Sequence, residues 1–239
     1  MKYIYGPVHS RRLGFSLGVS LIAYKICSFD CVYCQLGGTT EKTTIRKEYS
    51  PCKDILGELN SWLKNNQAEA GKLDYITLAG SGEPTLNSCI GQFILEAKKL
   101  VSTPIAVITN SSLLIDPVLR KELKAADLIV PSLDAVDPRI FQAIDRPAVN
   151  IDPERIIDSM VSLKKEFSGK IWLEVMLVKG INDDLRHIRK IKEAVERIRP
   201  DKVQLNSPVR SASGGNILAV PKAKLEKIRK IIGDTCEIL

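Results

Sequence analysis

Three cysteines within eight residues, Cys27, Cys31 and Cys34, constrain this chain more than any other feature. Thiols this close leave one odd in any disulfide scheme, and a tetrahedral zinc site needs a fourth ligand nearby. No cysteine or histidine follows Cys34 within a short loop, and the next thiol, Cys52, falls where a helix begins. Three thiolates on one loop suit three corners of a cubane iron–sulfur cluster, whose fourth iron is then open to another ligand. Such an open iron is a reaction site.

Around that loop the chain alternates strand and helix. Apolar, β-branched runs read as strands over residues 16–23, 73–79, 105–110, 128–133, 170–178 and 202–206. Between them lie helices from Ser50-Pro51 to residue 66, with Ser50 as N-cap, and over residues 87–101, 116–124, 138–144 and 153–167. A long helix capped by Asn182 or Asp183 ends near Arg199-Pro200, and a last one covers residues 221–232. Residues 235–239 are expected to add an edge strand. Residues 1–15 neither alternate nor show helical spacing, and read as a turn-rich basic segment. Six strands alternating with helices imply parallel pairing through right-handed crossovers. The α/β architecture that accepts six such units is a partial (β/α)6 barrel of the TIM type, a single domain over residues 1–239, with its site at the strands' carboxyl ends.

The second strand runs directly into Gly80-Ser81-Gly82-Glu83-Pro84, where glycines can bring backbone polar groups close to a ligand. Taken with the C-x3-C-x2-C spacing and the aromatic Tyr33 before the third cysteine, this order resembles the radical S-adenosylmethionine (radical SAM) enzymes. The resemblance covers essentially the whole chain. It implies a [4Fe-4S] cluster on Cys27, Cys31 and Cys34, with S-adenosylmethionine chelating the open iron, and an external electron donor of flavodoxin or ferredoxin type. It carries the grip on the methionine amino group to Gly80, Ser81, Gly82 and Glu83, the ribose contact to Ser132 and Asp134, and the adenine side to Glu174, Val178 and Gln204. Asn110, ending the third strand, joins this cofactor set. The segment Gly-Pro-Val-x-Ser-Arg-Arg-Leu-Gly and the run Cys-Val-Tyr-Cys-Gln-Leu-Gly resemble a prokaryotic group akin to the wyosine-forming tRNA enzymes. Those enzymes carry a second cysteine cluster that this sequence lacks.

Arg11 and Arg12 stand before the first strand, and Asn206 and Arg210 end or follow the sixth. In an open barrel these strands border the seam, so the guanidiniums are expected to meet beside the barrel's mouth and favour a carboxylate or phosphate on the substrate. The alternative is that they pair with acids and hold the amino-terminal segment down. A formal charge of +7 allows RNA, a small anionic molecule or an acidic protein as partner, although acids interleave the basic helical runs. Three classes follow: an enzyme acting on a small molecule or nucleoside, an activase placing a radical on a partner protein, and a plain electron carrier. No apolar run spans a bilayer and no signal peptide stands at the amino terminus, so a cytoplasmic protein without membrane partner is expected. His187 reads as a surface residue of an amphipathic helix, Cys89 and Cys236 as buried small apolar residues, and Cys52 as lying at the barrel's end away from the cluster.

Overall fold

The computed structural model describes residues 1–208 and 217–239, so Arg210 lies outside the described residues. The chain opens with a hairpin, β1 (Ile4–Ser10) antiparallel to β2 (Gly14–Val19). This corrects the reading of residues 1–15 as an irregular segment. Gly6-Pro7 hides the strand, because the register shifts between Tyr5 and Val8 and interrupts the side-chain alternation a sequence would show. The first strand of the barrel is accordingly β2, which ends at Val19 and not at residue 23.

The cluster loop follows, pinned by a short ribbon of β3 (Ile26–Cys27) and β4 (Glu41–Lys42). Then α1 (Cys52–Asn65) and α2 (Gln67–Ala70) precede β5 (Tyr75–Leu78). The order continues with α3 (Ile90–Leu100), β6 (Ile105–Thr109), α4 (Pro117–Glu122), β7 (Leu128–Pro131), α5 (Pro138–Ile144) and α6 (Pro153–Glu166). It closes with β8 (Lys170–Met176), α7 (Leu185–Ile198), β9 (Lys202–Asn206), α8 (Lys222–Ile232) and β10 (Cys236–Ile238). The sheet runs β1-β2-β5-β6-β7-β8-β9-β10, parallel from β2 onward, and the described strands do not close on themselves. This is the expected partial barrel, with the tail strand β10 at one edge and β1 as an unforeseen antiparallel strand at the other.

Aspartates start four of the helices: the carboxylates of Asp116, Asp137, Asp152 and Asp184 accept from first-turn N–H groups. Asp184 thus caps α7 in place of Asn182 or Asp183, which are spent inside the loop before it. At α1 the cap position is Pro51, not Ser50, and Glu48 Oε1 accepts from Cys52 N at 3.0 Å instead. His187, expected at the surface, is buried, because residues 187, 191, 194 and 198 share the apolar stripe of α7. Burial lowers its pKa.

The strands present two faces. Residues such as Leu17, Ile76, Val107, Ile129, Leu173 and Leu205 face the helices in the main core. The alternate residues line the lumen, where Leu13 from the β1–β2 turn packs with Ala106, Leu128 and Val130 against Tyr75, Ile108 and Trp172. A hairpin turn therefore plugs the barrel floor, and the adjacent arginines tie it across. Arg12 Nη2 donates to Glu174 Oε1 on β8 at 2.6 Å, and Arg11 Nη2 donates to Asn206 Oδ1 on β9 at 3.0 Å. Arg11 Nη1 also donates to the Leu239 carbonyl at 3.1 Å, which spans the open side between the first and last strands.

Leu13 is the plug's apolar anchor, so Leu13→Ala should cost about 2–5 kcal/mol, whereas Leu13→Met should cost less than about 1.5 kcal/mol. Denaturant midpoints of the two variants against the parent check this; equal losses would mean the turn does not fill the lumen.

Candidate active site at the strand carboxyl ends

The cluster loop is braced from three directions. From below, Glu83 N donates to the Ile26 carbonyl at 3.1 Å. Gly82 lies so close to that carbonyl that an added Cβ would sit 2.0 Å from its oxygen, which is why the loop after β5 needs a glycine there. From the side, Asp30 N and Val32 N donate to the Asp145 and Ile144 carbonyls, and Ala148 N donates to the Ser28 carbonyl. Behind, Thr40 N and Oγ1 both donate to the Lys25 carbonyl, at 3.1 and 2.9 Å.

Glu83 is buried and takes four donors. Thr85 N, Thr85 Oγ1 and Thr109 Oγ1 reach Oε1, and Asn110 N reaches Oε2 at 2.8 Å. Desolvation still raises its pKa. The side chain of Asn110 continues the chain of contacts, donating to Ser28 Oγ at 2.8 Å and more distantly to Cys27 Sγ at 3.5 Å. Gly82, Glu83 and Asn110 therefore converge on the first cysteine and the residue before it, while Gly80 and Ser81 pack against Ser20. Gly80 sits at φ +115° and Ser81 N donates to Ser20 Oγ.

Asn110, Ser132 and Asp134 come together with Tyr33, Asp145 and Phe29 around a cavity of about 10 Å3, room for about one water. The Tyr33 hydroxyl donates to Asp134 Oδ2, and Met176 N donates to Oδ1 at 2.8 Å. Burial pushes Asp134 up to about 7, and burial and the neighbouring Asp134 push Asp145 well above the usual carboxylate range. The two acids titrate as a pair. Asp145, which the sequence reading missed, accepts from Cys31 Sγ at 3.4 Å; the Asp-Arg-Pro turn after α5 was its one signal.

The remaining expected residues separate from this group. Glu174 belongs to the arginine side, bonded to Arg12 and to Asn206 Nδ2, and Gln204 donates to Glu237 while its Oε1 is buried without a partner. Val178 is buried and bridges Ala219. Between the arginine turn and the cluster loop lies a cleft of about 440 Å3, lined by Tyr5, Ser10, Arg12, Ser16, Thr77 and Gln35 among others. The Tyr5 ring takes the space a Cβ at Gly18 would need. Arg12 Nε is buried here without a partner.

The other cysteines stand apart. Cys52, Cys89 and Cys236 are buried in the main core. Burial pushes the Cys89 and Cys236 thiols up to about 12. Cys52 lies at the cluster's end of the barrel, against expectation. Residues 47–50 run beside the segment after β5, where Asn87 Nδ2 donates to the Ser50 carbonyl.

A family model described as the radical SAM superfamily matches residues 21–198. The chain belongs to the radical SAM superfamily. A UPF0026 protein of Methanocaldococcus jannaschii is 35% identical over all of this chain and 73% of that protein. A Brachyspira hyodysenteriae protein named GTPase Obg is 40% identical over 99% of this chain, which spans only 34% of that protein. The present sequence contains no G-x-x-x-x-G-K-[ST] phosphate loop, so the shared third carries no nucleoside-triphosphate signature. Among solved structures, one of TYW1 with a lysine-pyruvate adduct bound superposes with a TM-score of 0.68 over 91% of this chain and 72% of that one, at 18% identity. The radical SAM fold and its cofactors, a [4Fe-4S] cluster and S-adenosylmethionine, follow from this membership.

The cluster loop fits such a group. Lys25 is 2% exposed, and the one hydrogen-bond partner of its ammonium among the described residues is Cys34 Sγ, at 3.0 Å. A neutral thiol is a weak acceptor for a buried cation, whereas a ligating thiolate satisfies it. Burial, with Glu83 nearby, pushes the Cys27 thiol up to about 12, so a metal is needed to hold it deprotonated. Among the described residues no three His, Cys, Asp or Glu side chains converge on a single ion. A cubane does not require that, since its cysteines bind different irons.

Because Asp134 has its folded pKa raised, the native state holds more protons than the unfolded one between about pH 4 and 7. Its stabilising proton is present at low pH and lost as pH rises through about 7. Stability should therefore fall over that window by up to about 1.4 kcal/mol per pH unit for this group, and Asp134→Asn should flatten the fall. A melting-temperature series against pH checks it; an unchanged slope in the variant would refute the shift.

Proposed function

We propose that this radical SAM enzyme holds its [4Fe-4S] cluster on Cys27, Cys31 and Cys34 and acts on a small or nucleoside substrate bound in the lumen cleft. The observation that carries this reading is the convergence of the Gly80–Glu83 loop, Asn110 and the cluster loop at one end of the barrel, directly above a cleft of ligand size. A [4Fe-4S] cluster held there would supply, when bound, one-electron reductive cleavage of the S-adenosylmethionine sulfonium.

The chain's own residues do the rest. Backbone groups of Gly80, Ser81 and Gly82, and the remaining lone pair of Glu83 Oε2, would hold the methionine amino group. Tyr33, Ser132 and Asp134 would meet the ribose side, where the Tyr33 hydroxyl donates to Asp134. The Arg12 guanidinium, fixed by Glu174 and lining the cleft, would face a carboxylate or phosphate on the substrate. Arg11 and Asn206 are spent on each other and on the Leu239 carbonyl, which makes them clamps on the hairpin rather than substrate contacts. An acidic one-electron carrier is the expected reductant. A radical activase is the second reading; the lumen cleft favours a substrate that enters the barrel.

Anaerobic reconstitution tests the assignment. Cys27→Ala, Cys31→Ala and Cys34→Ala should each lose the cluster's visible absorption and 5′-deoxyadenosine formation under dithionite, while Cys89→Ala and Cys236→Ala keep both. Equal loss in the second pair would sink the ligand set.

Arg11→Gln should lower the melting temperature without changing uncoupled cofactor cleavage, as expected of a clamp. An unchanged melting temperature would show that the seam contact bears no load.

A further inference from the structure

The three cysteine sulfurs meet unlike surroundings. Cys27 Sγ accepts from Phe29 N at 3.4 Å and from Asn110 Nδ2 at 3.5 Å, both long and neutral. Cys31 Sγ faces the Asp145 carboxyl at 3.4 Å. Cys34 Sγ alone has a cation on it, the Lys25 ammonium at 3.0 Å. Lys25 makes no ion pair with any Asp or Glu among the described residues. A buried ammonium without a carboxylate is costly unless another anion stands beside it.

Its position is also fixed. The Lys25 carbonyl takes both donors of Thr40, and the two residues after it, Ile26 and Cys27, pair with Glu41 and Lys42 in the β3·β4 ribbon. The backbone that carries Lys25 is thus clamped at the base of the loop that carries Cys34. Nothing in the C-x3-C-x2-C spacing calls for a lysine two residues before the first cysteine.

From this we infer that Lys25 is a redox-positioning residue, whose Nζ–H···Sγ bond to Cys34 sets the cluster's reduction potential. An electron delivered by a low-potential one-electron donor adds negative charge that spreads onto the ligand sulfurs. A cation donating to one of them stabilises the reduced state more than the oxidised one, and so raises the potential. No proton or bond is exchanged; the electron comes from the donor and resides on the cluster. The inference rests on the cluster standing on these three cysteines.

The test is a dithionite titration of the anaerobically reconstituted full chain, followed by electron paramagnetic resonance. Lys25→Met, of similar length but without charge or donor, should make reduction about tenfold less favourable, which is about 59 mV for a one-electron couple. Lys25→Arg should recover most of that loss. Pulsed electron–nuclear double resonance on the reduced wild type labelled with 15N-lysine should also show a nitrogen coupled to the cluster, a readout that needs no variant. An unchanged potential in Lys25→Met, or no coupled lysine nitrogen, overturns the inference. So does an unchanged potential with weakened S-adenosylmethionine binding, which would place Lys25 on the cofactor. A wild-type chain without cluster absorption would instead defeat the ligand set.

Discussion

The Glu83 carboxylate is the contact on which the site depends. Buried carboxylates are costly unless every lone pair finds a donor, and this one draws donors from the loop after β5 and from the end of β6. Its own N–H reaches back to the cluster loop at the Ile26 carbonyl. One residue thus locks two strand ends and the cysteine loop into a single piece. Truncating it would leave the Thr85 and Thr109 hydroxyls and the Asn110 N–H facing an apolar void, so the side chain proposed to meet the cofactor is also one the fold depends on.

That coincidence explains what was legible beforehand. The alternation of short apolar strands with capped helices is a local signal, and it yielded the parallel sheet nearly strand for strand. The cysteine spacing and the Gly-Ser-Gly-Glu-Pro run are local too, so the cluster loop and the loop beside it could be placed at one end of a barrel. Contacts set by tertiary packing were not. β1 escaped because its pairing breaks at Gly6-Pro7, and His187 because its helical face became clear only once α7 lay against its neighbours. Asp145 and Lys25 each sit in turns whose composition says nothing about a sulfur atom close by.

The arginine turn shows the same limit from another side. Sequence placed Arg11 and Arg12 at the seam and left open whether they serve a substrate or the fold. In the structure the two divide: Arg11 is satisfied by Asn206 and the Leu239 carbonyl, while Arg12, which lines the cleft, gives one nitrogen to Glu174 and keeps its Nε buried without a partner. The partial barrel needs such a tie, because an unclosed sheet leaves its lumen exposed. Leu13 and the two guanidiniums supply a floor that a closed barrel would obtain from its own strands.

The braces of the cysteine loop also impose an order in time. During synthesis the loop emerges early, yet the Asp145 carboxyl that meets Cys31 lies 114 residues further along, and the Ser28 carbonyl waits for Ala148. Until then the thiols' spacing rests on the local β3·β4 ribbon and the two Thr40 contacts. A chain of this design gains the full set of braces for its cysteine loop only once residues 145–148 have joined the fold.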